Sequence, residues 1–154
     1  PQLSRRYLMA PAALWIVAAV LAQGVLVFIL TALLYQERIP RITKDEIRIA
    51  DIAIDKTRWP ERARLVENAF GNQFEVPVLL FVACGVALYF GATWIEAVLA
   101  LLFVVTRYVH AFIHVTSNRV PRRFFAYAAG AVIVGLFWVD LMVRLAILSL
   151  RGGA

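Results

Sequence analysis

Cysteine is almost missing from this sequence, and the single Cys84 lies in an apolar run, so no disulfide within the chain can hold the fold together. Its side chain reads as a small packed group. Charge is also scarce: 17% of the 154 residues are charged and 62% are hydrophobic, with a mean hydropathy of +0.77, which excludes an ordinary soluble domain. Acids are outnumbered by bases, 10 to 16. That excess does not point to nucleic acid, because the basic residues flank apolar runs, where they set membrane topology. Internal repeats and visibly interrupted apolar segments are absent too, which leaves a transporter reading with little support.

What is present is four apolar runs, Leu8 to Tyr35, Phe74 to Phe90, Trp94 to Val115 and Phe124 to Leu150. A helix needs about 20 residues to cross a hydrocarbon core of ~30 Å, so the expected spans are 8–35, 68–90, 94–116 and 122–149. The expected fold is all-α, a four-transmembrane-helix bundle. The first run is too long for a cleaved signal peptide and reads as a retained span, with Pro11 in its opening turn. Four helices bury few polar surfaces, which makes self-association the expected way to shield paired charges.

Between the first two spans lies a polar loop, residues 36–67, carrying Arg38, Arg41, Lys44, Arg48, Lys56, Arg58, Arg62 and Arg64. Residues 117–123 add Arg119, Arg122 and Arg123 on the same side. The positive-inside rule places both loops in the cytoplasm, although Arg5 and Arg6 pull the other way. Alternation at Ile47-Arg48-Ile49 and Ile52-Ala53-Ile54 favours a short hairpin; Thr43 with Glu46 offers a capping box for an interfacial helix instead. Trp59 suits the membrane interface, and Pro60 with Glu61 the first turn of a helix entering the second span.

Two spans carry ionisable residues at membrane depth, where a charge costs roughly 3 kcal/mol or more. Glu61, Arg64, Asn68, Asn72 and Glu75 recur at spacings of three and four, one polar stripe running from water into the bilayer. Arg107, His110 and His114 share a face of the third span, and Arg122, Arg123 and Tyr127 open the fourth at the same level. These groups converge on one pocket rich in cationic and amide donors, suited to an anionic ligand and to chemistry in which Arg holds negative charge. The competing reading is structural: Glu75 and Arg107 form a buried ion pair that sets helix register, with the histidines bonded to carbonyls. No His-Glu-x-x-His pattern supports a metal site at His110 and His114. Asp140 and Arg144, four apart, read as a pair near the opposite interface, Glu96 beside Trp94 as an interfacial anchor, and Gln23 as an interhelix hydrogen-bonding group.

Asn72-Gln73-Phe74-Glu75-Val76-Pro77, then Arg107-Tyr108-Val109-His110, then Arg119-Val120-Pro121-Arg122-Arg123 with Tyr127 resemble the MAPEG family, the membrane-associated proteins in eicosanoid and glutathione metabolism. The likeness covers all four spans as one domain, 1–154, and is greatest to bacterial members. The resemblance implies a homotrimer, in a bacterial inner membrane here, that binds glutathione between subunits and attacks lipophilic electrophiles with its thiolate. It implies Asn72 and Glu75 as glutathione contacts, Glu75 paired with Arg107, His110 in the pocket and Tyr127 lining it. His114, Arg119 and Arg122 join the candidate binding set, and Arg123 is the candidate thiolate stabiliser, since a guanidinium favours the anion of a thiol that titrates near 8.5. The chain departs from well-studied members at Asn68, where they carry Arg, at His114, where they carry Tyr, and at Phe124, where Ser is frequent. The expected function is therefore a glutathione-dependent transferase or peroxidase. The alternative is a non-catalytic membrane subunit whose pocket is structural or binds lipid or a partner in a hetero-complex.

Overall fold

The computed structural model describes residues 10–53 and 55–152; Arg5, Arg6, Leu8 and Ile54 lie outside them. Every regular element among the described residues is helical. Helix α1 spans Pro11–Thr43, α2 Ile49–Ile52, α3 Glu61–Gly71, α4 Val76–Phe90, α5 Trp94–Val115 and α6 Val120–Gly152, with 3-10 turns at Lys56–Arg58 and Asn72–Phe74. Four helical stretches are long and apolar enough to cross a membrane, α3 and α4 together making the second. Pro11 opens α1, where its missing N–H costs nothing. At 1.5 Å per residue the 33 residues of α1 reach about 50 Å, so the helix outruns the ~30 Å hydrocarbon layer.

Helix α5 is the axis of the bundle, packed on α6, α1, α3 and α4. Lipid offers no hydrophobic drive to bring helices together, so close approach depends on small side chains and packing. The core accordingly gathers Ala19, Ala83, Ala87, Ala97 and Ala100 around Ile16, Leu80, Phe103 and Phe137. Helices α5 and α6 approach closely at Gly130, where a Cβ would stand 2.7 Å from Thr106 Oγ1. The outer surface carries Leu14, Trp15, Phe28, Val105, Phe112 and Val132, the apolar exterior that lipid requires.

Polar side chains close both ends of the bundle, with partners that differ in part from the sequence expectation. Glu96 is fully buried; it completes a capping box with Thr93 and accepts from Arg144 Nη1 at 2.7 Å. Arg144 also donates to the carbonyls of Phe90 and Gly91, binding α6 to the turn between α4 and α5. The expected Asp140–Arg144 pair is therefore replaced: a carboxylate already buried at a helix N-terminus, beside two carbonyls, offers the guanidinium more than a half-exposed Asp140 does.

At the other end, Arg38 of α1 pairs with Glu67 at 2.6 Å and Arg62 of α3 with Glu37 at 2.5 Å. Trp59 is buried, with the Arg38 guanidinium stacked over its ring at 4.6 Å. The expected hairpin does not form: Ile49–Ile52 is one turn of helix, stabilised by Arg48 and Asp51 three apart. None of its residues is buried, so the alternation had no core face to fill. The capping box at Thr43 is absent as well, since Thr43 ends α1 with its hydroxyl on the carbonyls of Ile39 and Pro40. Asp55 caps the following 3-10 turn; the Thr57 hydroxyl and then its amide hold the carboxyl below the ordinary range.

Glu96→Gln is expected to destabilise the detergent-solubilised protein by about 2 kcal/mol, because it removes the counter-charge of Arg144. Asp140→Asn, at a carboxylate with no ion pair, should shift stability by less than about 0.5 kcal/mol. Denaturant unfolding of both variants checks this; equal effects would show that Glu96 is not the partner that matters.

Candidate functional site

The second span breaks where the sequence reads Asn72-Gln73-Phe74-Glu75-Val76-Pro77. Pro77 has no N–H to offer the carbonyl of Gln73, four residues back, and its ring crowds that carbonyl. The chain responds with a 3-10 turn and with Glu75 at φ −99°, ψ −106°, after which the Val78 amide donates to the Glu75 carbonyl at 3.1 Å. A break at membrane depth needs polar partners from neighbouring helices. Gln73 supplies one set: its Nε2 donates to the Ala69 carbonyl at 2.8 Å and its Oε1 accepts from Gln23 Nε2 of α1 at 3.0 Å. Gln23 thus has the interhelix role that its isolation in the first span implied. Arg107 supplies the other, donating from Nη2 to the Asn72 carbonyl at 3.1 Å.

Beyond the break lies an open cleft of about 980 Å³ between α3, the ends of α5 and α6, and the turn at Lys56 and Thr57. The polar stripe of the second span lines it as the helical spacing dictates: Glu61, Arg64, Asn68, Asn72 and Glu75 all face it. His110 and His114 of α5 and Arg123 and Tyr127 of α6 form the facing wall. The His110 ring lies 5.7 Å from that of His114 and 5.9 Å from that of Tyr127. Arg123 is steadied by Nη1 donating to Asn118 Oδ1 at 2.6 Å, across the α5–α6 turn. Phe70 and Phe124 add apolar surface at the rim.

Three sequence-derived residues stand elsewhere. Arg107 is completely buried behind the wall, its guanidinium 5.7 Å from the Tyr127 ring. Arg119 and Arg122 are exposed and do not line the cleft. The Glu75–Arg107 ion pair does not form either: Glu75 is exposed on the cleft wall, and no carboxylate among the described residues lies within ion-pair distance of Arg107. The helix break explains this, since the unusual Glu75 backbone turns its side chain outward while the Asn72 carbonyl turns in. Lys56, Thr57 and Glu67 line the cleft without having been singled out; Lys56 Nζ reaches Glu67 at 3.0 Å. Their sequence signal was weak because a charged loop reads as solvated surface until its fold over α3 is known.

Several buried nitrogens around the cleft have no hydrogen-bond partner: Nε and Nη1 of Arg107, Nδ1 of His110, and both ring nitrogens of His114. Orphaned buried polar groups cost about 1–3 kcal/mol each, so such a cluster is retained where something polar completes it. The arrangement leaves polar nitrogens uncommitted beside an open cleft lined by cationic and amide side chains. No group of three or more metal-ligating side chains occurs among the described residues.

Glu75→Gln should leave stability within about 0.5 kcal/mol of wild type, as an exposed carboxylate with no ion pair implies. Gln73→Ala should lower it by about 1–2 kcal/mol by stranding the Gln23 amide. Thermal unfolding in detergent distinguishes the two; a large loss at Glu75 would mean that Arg107 depends on it after all.

Searches of curated proteins and of solved structures return no match. The model of the MAPEG family matches residues 16–143, from the first turns of α1 into α6, and takes in the helix break and the whole cleft wall. With that match running through all four spans, the chain is an integral membrane protein of the MAPEG family.

Proposed function

We propose that this protein is a glutathione-dependent transferase or peroxidase of the membrane that acts on lipophilic electrophiles. The observation that carries the reading is the cluster of unpartnered buried nitrogens beside a cleft whose walls alternate cationic and amide donors. Glutathione offers two carboxylates and a thiol, the acceptors such a cluster lacks. Arg64, Asn68 and Asn72 on one wall are placed to take carboxylate and peptide groups, and Arg123 on the other to hold the thiolate. A guanidinium held in place stabilises that anion because its field is fixed before the charge forms. Phe70 and Phe124 at the rim give an oily electrophile a way in from the bilayer.

The cleft is open, and the chain exposes apolar side chains along its helices. A homotrimer in which a neighbouring subunit closes each cleft accounts for both, and family membership supports it. The basic loops 36–67 and 117–123 support a cleft on the cytoplasmic face by the positive-inside rule, and this reading takes a bacterial inner membrane as its setting. A second reading, a non-catalytic subunit that binds a lipid or a partner, is favoured by Asn68, which leaves the stripe one guanidinium short of the family pattern. The two readings separate at the thiolate.

Adding millimolar glutathione to the detergent-purified full chain is expected to produce the ultraviolet band of a thiolate and to raise thermal stability, by about 2.7 kcal/mol at 100 times the Kd. Arg123→Ala should abolish the band and preserve the oligomer. If neither band nor stabilisation occurs with wild type, the glutathione reading falls; an undiminished band in Arg123→Ala would show that Arg123 does not hold the thiolate.

A further inference from the structure

Lysine and arginine line the cleft at Lys56, Arg64 and Arg123. Glutathione with its thiol ionised presents two carboxylates and a thiolate, with an ammonium on its glutamyl end beside one of the carboxylates. The thiolate falls to Arg123 and one carboxylate to Arg64, which leaves one carboxylate and Lys56. That lysine stands in the polar loop, outside the helical stripe that lines the rest of the wall.

The turn that carries Lys56 is held on both sides, by Asp55 accepting from the Thr57 amide at 2.9 Å and by the buried Trp59 ring. Its ammonium meets Glu67 at 3.0 Å, and Glu67 lies three residues from Arg64 on α3, so both cations serve one stretch of the wall. Glu67 does not depend on Lys56 for its counter-charge. Arg38 reaches the other Glu67 oxygen at 2.6 Å and is itself fixed over the Trp59 ring. The Lys56 side chain is 73% exposed, and an ion pair so open to water contributes little. A lysine on a flexible four-carbon stem can therefore exchange Glu67 for an incoming anion and leave no buried carboxylate unpaired. Resting on the glutathione reading, we propose that Lys56 leaves Glu67 to bind the glycyl carboxylate of glutathione, and that this contact makes the free glycyl acid a requirement for tight binding. The glycyl end is the match because its carboxylate stands alone. At the glutamyl end the ammonium would be repelled by Lys56, whereas Glu61 and Glu75, exposed on the cleft wall and in no ion pair among the described residues, can receive it.

Coupling between the residue and the ligand group tests this separately from activity. Isothermal titration of the detergent-purified full chain compares glutathione with its glycyl amide, which has the same shape and lacks the charge, in wild type and in Lys56→Gln. Wild type is expected to bind the acid about fivefold more tightly than the amide, the size of one partly exposed charge pair. Lys56→Gln should lose that preference, binding glutathione about fivefold more weakly and the amide as wild type does. Lys56→Arg keeps the charge and should keep the preference. A wild type that binds acid and amide alike overturns the proposal. So does a Lys56→Gln that still prefers the acid about fivefold, whether its affinities are unchanged or equally reduced, because the carboxylate is then read by another group. Should Lys56→Gln fail to fold, the same comparison on Lys56→Met decides. Wild-type protein that binds neither ligand refutes the glutathione reading itself; glutathione bound without preference over the amide leaves that reading standing and sinks this one alone.

Discussion

A helix broken inside the bilayer has to be repaired by its neighbours, and the rest of this structure is arranged around that repair. Pro77 interrupts the hydrogen-bond ladder of the second span, so backbone carbonyls at the break need partners from outside their own helix. Arg107 from α5 donates to the Asn72 carbonyl at the break, and Gln23 from α1 donates to the side-chain oxygen of Gln73 beside it. Three spans are thereby locked in register by hydrogen bonds, whose value is high because the unbonded alternative in lipid is so poor. The same repair turns the Asn72 and Glu75 side chains to the outside of the break, onto the cleft wall.

The cost of a buried guanidinium shapes the neighbourhood of the cleft. Arg107 makes one hydrogen bond and lies behind Tyr127 with two nitrogens unpartnered. Such a group does little for stability by itself, since well-packed apolar residues serve as well or better. Its value is electrostatic: a fixed positive charge behind His110, His114 and Tyr127 biases the whole wall toward anions. The opposite end of the bundle shows the contrast. There Arg144 has a carboxylate and two backbone carbonyls, and that cluster reads as structure with nothing left to bind.

Much of the site was legible because helical periodicity survives in a membrane. Spacings of three and four put Glu61, Arg64, Asn68, Asn72 and Glu75 on one face, and that face lines the cleft despite the break in its middle. His110 and His114 followed from the same rule. What periodicity does not carry is the partner of each charge. Opposite charges near one another in sequence or depth implied Glu75 with Arg107 and Asp140 with Arg144; both guanidiniums instead bond the backbone at helix interruptions, and Arg144 takes a carboxylate from another helix. The loop was misread for a related reason. Alternation in Ile47 to Ile52 predicts a strand only where one face has something to pack against, and here it has nothing.

By itself, the sequence determined that this chain crosses a membrane four times and which residues share a helical face, because apolar length and periodicity are local properties of the chain. Family membership followed from motifs of the same local kind. Only the tertiary structure decided that Arg107 lies behind the cleft and not in it, that Trp59 lies beneath Arg38, and that His114 keeps two nitrogens without partners. Those outcomes depend on which groups several helices bring within a few ångströms, and a buried polar group takes the nearest acceptor that desolvation leaves available, whatever its distance along the chain.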